Sequence, residues 1–117
     1  MSYTLTVDDI AMVKAVAEEC GWDASDPIDI YLTPPTAMDV RPKFHMPDDL
    51  PNFVEAAAVK LEKKGAATFV FLSVYMDDEG KRFIFCAVDT ADGTLEREGP
   101  TRPLAMLRAL YAAIGGK

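Results

Sequence analysis

Two apolar runs between Ala66 and Asp89, rich in aromatic and β-branched residues, flank a polar loop that ends in Gly80. The pattern predicts a β-hairpin. With Asp77 to Gly80 as the loop, Val74 faces Phe83, Leu72 faces Phe85 and Val70 faces Ala87 on one side of the ribbon. The other side carries Phe69, Phe71, Ile84, Cys86 and Val88. Because successive side chains alternate between faces, a ribbon apolar on both faces needs cover on both. The hairpin is therefore predicted to be the middle layer of the domain.

Three segments show the 3.6-residue period of helices that supply such cover. Ser2 to Thr6 read as a short strand or a frayed end, and Thr6 then caps a helix with Asp8 and Asp9 in its first turn. Ile10, Val13, Ala17 and Cys20 form its apolar stripe, Lys14 and Glu18 an i, i+4 pair beside it, and Gly21 its left-handed end. Asp48 and Asp49 are expected to cap a second helix, with Pro51 in its first turn. It carries Leu50, Phe53, Val54, Ala57 and Leu61 on one stripe, three lysines near its end and a stop at Gly65. The third is capped by Thr101 and runs to Gly115. Leu104, Met106, Leu107, Leu110, Tyr111 and Ile114 lie on one arc and Ala105, Ala109 and Ala112 on the other side.

Ile28, Ile30 and Leu32 alternate with Asp29 and Tyr31, which predicts a strand joining the hairpin at its edge. Residues 33–47, with four prolines, read as an irregular loop inside the domain. Leu95 to Glu98 extend the sheet edge before Gly99-Pro100 ends it. The fold class expected is α+β: a single domain over 1–117, a small antiparallel sheet built on the central hairpin and covered by helices on both faces.

A chain of 117 residues, half of them apolar and 26% charged, has room for one core and the composition of a globular domain. The 12 basic and 19 acidic side chains leave a net charge of −7 with no basic patch, which disfavours direct binding of nucleic acid. Neither a membrane helix nor a secretory leader is legible, so the expectation is a cytoplasmic protein. Cys20 and Cys86 fall in packing stripes and read as reduced core residues.

The chemistry is thin. Asp23, Asp26 and Asp29 are spaced three apart, but they lack the Asp-x-Asp-x-Asp-Gly order and closing Glu of a calcium loop and read as turn-capping residues. His45, the single histidine, lies in the proline-bracketed loop beside Phe44, where an acid/base role requires an orienting aspartate. Arg41 and Lys43 beside Phe44 are weak candidates for touching an anion. Trp22, just past the first helix, is expected to cover the edge of the core. No phosphate loop, zinc helix or nucleophile elbow is present, so no enzymatic activity, bound metal or organic cofactor is expected.

The order helix, two strands, helix, and the closing Gly99-Pro-Thr-Arg-Pro-Leu-Ala-Met-Leu-Arg-Ala-Leu-Tyr-Ala-Ala113, resembles the phage ABA-sandwich domain family of small proteins. The likeness spans roughly residues 46 to 115. It implies helices on both sheet faces, no catalytic residues, and a phage or host protein as partner.

The function expected is that of a small acidic interaction protein that binds a protein partner or itself as a homodimer. Candidate contact residues are Phe44 and His45 in the loop, Asp23, Asp26, Asp29, Asp77 and Asp78 in the acidic turns, and Ala105 and Ala109 on the alanine face. Two alternatives remain. The acidic turns could mimic nucleic-acid phosphates toward a nucleic-acid-binding or defence protein, or His45 with an aspartate could form a small enzyme's acid/base pair.

Overall fold

The computed structural model describes residues 5–26, 28–33 and 41–115, apart from the side chains of 69–71. Its order is α1 (Val7–Glu19), β1 (Asp29–Tyr31), β2 (Lys43–His45), α2 (Leu50–Lys64), β3 (Phe69–Met76), β4 (Arg82–Thr90), β5 (Gly93–Gly99) and α3 (Arg102–Ala113). It is an α+β fold with two antiparallel sheets, β1-β2 and β3-β4-β5. The short strand or frayed end expected at Ser2 to Thr6 falls largely outside the described residues, as does most of the proline-rich loop, at 34–40.

The helix ends follow from local chemistry. Thr6 and Asp9 form a capping box, each side chain accepting the other's backbone N–H. Asp9 is also buried, with Arg108 of α3 3.5 Å away, so this cap ties the first helix to the last. Pro51 sits in the first turn of α2, and Gly65 closes that helix at φ 79°, but the expected aspartate cap does not form: the Asp49 side chain accepts the His45 N–H instead. Thr101 accepts the Leu104 N–H and starts α3. Lys64 donates to the Glu19 carbonyl, joining the C-terminal ends of α1 and α2.

The third helix is the centre. It packs on β4 and β5 with one side and on α1 and α2 with the other. Its bare alanine face is therefore internal: Ala105, Ala109 and Ala112 are buried, which removes Ala105 and Ala109 as contact residues. Small side chains there let the sheet approach closely. At Gly99 of β5 an added Cβ would stand 2.5 Å from the backbone nitrogen of Ala105.

Three sheet expectations change. The third strand beside the hairpin is β5, whereas β1 leaves for a separate ribbon with β2, inside what reads as irregular loop. The hairpin register is also shifted by one residue, with Val74 opposite Ile84, Leu72 opposite Cys86 and Tyr75 opposite Phe83. The cause lies in the turn. Gly80, at φ 83°, donates to the Asp77 carbonyl, and Asp77 N–H bonds Lys81 O, so the loop takes in Lys81 and closes one residue later.

A one-residue slip exchanges faces. Aliphatic Leu72, Val74, Ile84, Cys86 and Val88 share one face, toward α3, and aromatic Tyr75, Phe83 and Phe85 share the other. Among the described residues α3 is the helix that packs most extensively on this sheet, against its aliphatic face.

Candidate interaction surface

Among the described residues β4 is the inner strand, leaving β3 and β5 as the two edges of the sheet. The edges differ chemically. β5 reads Gly-Thr-Leu-Glu-Arg-Glu-Gly, with three consecutive charges of the kind that discourage strand addition, whereas β3 reads Phe-Val-Phe-Leu-Ser-Val-Tyr-Met with no charge and no proline over eight residues. Leu72, Val74, Tyr75 and Met76 are 39%, 40%, 56% and 67% exposed, and they account for four of the seven large apolar side chains exposed among the described residues. One strand thus gathers most of the exposed apolar surface.

The face beside this edge is aromatic. Tyr75 and Phe85 meet edge to face at 5.6 Å, Phe83 and Phe85 stack at 6.4 Å and 21°, and the Lys81 ammonium lies 5.0 Å from the Phe83 ring. Glu98, opposite Phe85, and Glu96, opposite Ala87, rim the face on the far side.

Of the sequence candidates, Phe44, His45, Asp23, Asp26 and Asp29 lie on and around the β1-β2 ribbon, whereas Asp77 and Asp78 lie in the hairpin loop that follows β3. Phe44 is opposite Ile30 and turns inward to pack 5.7 Å from both Trp22 and Phe53, so it is a core residue and not an exposed anchor. Its neighbours face outward. His45 stands opposite Asp29, and the imidazole Nδ1 lies 2.7 Å from the Asp29 carboxylate, with Lys43 3.6 Å from the same oxygen. This contact raises the His45 pKa above its ordinary value and lowers that of Asp29. An orienting acid is present, and it stabilises the imidazolium relative to the neutral ring.

The other acidic residues are engaged locally. Asp23 accepts from the Ser25 N–H and hydroxyl, which lower its pKa, and pairs with Arg41 at 3.2 Å. Asp26 caps the Ile28 N–H, and Asp77 accepts from the Glu79 and Lys81 N–H groups inside the hairpin loop. Asp78 is exposed on the same loop. The Arg41 guanidinium also stacks 3.7 Å from the centre of the Tyr31 ring, so both basic side chains beside Phe44 are held within the chain. Cys20 and Cys86 are buried, unpaired thiols, and burial pushes both up to about 11.

The strongest surface feature, the bare β3 edge, is absent from the sequence-based candidates. Its signal is present in the chain as the contrast between uncharged 69–76 and charged 96–98. Among the described residues no helix is long and apolar enough to cross a membrane. Comparison with family models, curated proteins and solved structures found no match to this chain.

Proposed function

We propose that this chain is a non-enzymatic interaction protein whose contact surface is the β3 edge together with the adjoining aromatic face. The observation that carries the reading is the gathering of exposed Leu72, Val74, Tyr75 and Met76 on one uncharged edge strand, while the opposite edge is charged. An edge strand offers unpaired backbone donors and acceptors, and exposed apolar side chains beside them add the surface that association buries.

A nucleic-acid stacking platform also uses aromatic rings on an open sheet, but it needs a cationic groove around them. Here Glu96, Glu98 and the acidic loop at 77–79 surround the rings, which favours a protein contact. The phosphate-mimic reading draws on carboxylates that a partner engages, and Asp23, Asp26, Asp29 and Asp77 already accept hydrogen bonds within the chain.

Capture experiments with wild-type and Tyr75→Glu chains, both checked for native far-UV circular dichroism, test the surface. A partner, or the chain itself in solution, is expected to bind immobilised wild type and to lose at least about tenfold in affinity toward the variant. Equal recovery on both overturns the proposal.

A further inference from the structure

We infer that the occupant of the β3 edge is a second copy of this chain, paired antiparallel to form a continuous six-stranded sheet, an inference that rests on the interaction reading above. The phase of the hairpin ladder identifies the groups involved. Asp77 bonds Lys81 across the hairpin, so in the regular register that follows the odd-numbered residues of β3 bond β4. The backbone N–H and C=O groups of residues 70, 72, 74 and 76 then point to the open edge. Two such edges satisfy one another around a two-fold axis at Ser73, which sets Leu72 opposite Val74 of the second copy and residue 70 opposite Met76.

Charge selects this direction of pairing. Two chains of net charge −7 repel at long range, and an uncharged strand is where they approach at least electrostatic cost. Antiparallel overlap about Ser73 also runs the acidic loop Asp77-Asp78-Glu79 of one copy alongside residues 67–69 of the other, just beyond the end of α2, whose last turns carry exposed Lys60 and Lys63. The loop and helix end are complementary in sign and meet twice in the dimer. A parallel pairing would instead bring acidic loop to acidic loop. The charged β5 edge stays outermost and ends the assembly at two copies.

Sedimentation equilibrium up to about 100 µM, with hydrogen exchange of the β3 amides in the same samples, tests the assignment. Wild type is expected to approach twice the chain mass, with the amides of residues 72, 74 and 76 slowing as concentration rises. Val74→Lys/Met76→Lys, with native circular dichroism, should weaken dimerisation at least about tenfold and leave those amides fast. Asp78→Lys/Glu79→Lys should also weaken it, and adding Lys60→Glu/Lys63→Glu should restore it. A dimer whose even-numbered β3 amides exchange rapidly overturns the assignment, and so does a dimer indifferent to the charge exchange. A monomer at every concentration overturns it too. If such a monomer still captures a partner through Tyr75, the interaction reading survives; if it captures nothing, both fall.

Discussion

Replacing Gly99 with alanine tests the close packing of β5 on α3. The added Cβ would lie 2.5 Å from Ala105 N, 2.8 Å from Ala105 Cα and 2.9 Å from the Leu104 carbonyl carbon. Ordinary carbon contacts begin near 3.5 Å, so β5 and α3 must separate by up to about 1 Å. All three atoms belong to the backbone, which leaves no side-chain rotation to relieve the overlap. Overpacking of this kind typically costs about 1–3 kcal/mol, and the upper end applies because α3 carries both the sheet and the other helices. For a chain of this length about 3 kcal/mol corresponds to a loss in Tm on the order of 10 °C. Urea titration followed by circular dichroism gives the free energy directly. Adding Ala105→Gly should bring no rescue, since the clash involves N and Cα and not the Ala105 methyl group. A Gly99→Ala chain within about 0.5 kcal/mol of wild type, or rescue by Ala105→Gly, would refute the close approach.

Two further outcomes are expected. Because Asp29 raises the His45 pKa above 6.5, imidazole NMR should show a midpoint above that value, returning toward it in Asp29→Asn. The sign follows for stability: the His45 contribution is complete below pH 6.5 and lost as pH rises through the raised folded value. That of Asp29, lowered from 3.8, is present above 3.8 and lost as pH falls through its lowered value. An unchanged midpoint in Asp29→Asn rejects the pairing. Phe53→Ala, at a fully buried ring, should cost about 3–5 kcal/mol in urea unfolding, and Phe85→Ala on the open face about 1–2 kcal/mol. Equal losses would mean the aromatic face is covered.

The helices are legible in the sequence because their signals are local: Thr6 with Asp9, Pro51 with Gly65, and Thr101 with Pro103 each fix an end without reference to the rest of the chain. The hairpin is equally legible as an element, but its register depends on one left-handed glycine that admits Lys81 to the loop, and no periodicity reports that. β2 is only three residues long, and Pro42 and Pro47 beside it suggest loop, although Lys43, Phe44, His45 and Met46 already alternate polar and apolar. The alanine face of α3 is misread for a different reason. Small residues mark close approach in either direction, outward to a partner or inward to a strand, and Gly99 on β5 supplies the inward answer. Which strand is an edge is a property of topology, so the bare flank of β3 becomes a candidate site only once β5 takes the other side of β4.

The central place of α3 bears on how the chain is made. Translation proceeds from the N-terminus, and of the described elements α3 is the last to emerge, yet α1, α2 and the sheet all pack against it. The buried Asp9 of α1 meets Arg108 99 positions downstream. Until that segment leaves the ribosome, the apolar stripes of α1 and α2 and the aliphatic face of the hairpin lack their common partner. A nascent chain therefore exposes these surfaces one after another, that of α1 for longest, before the helix that covers them is made.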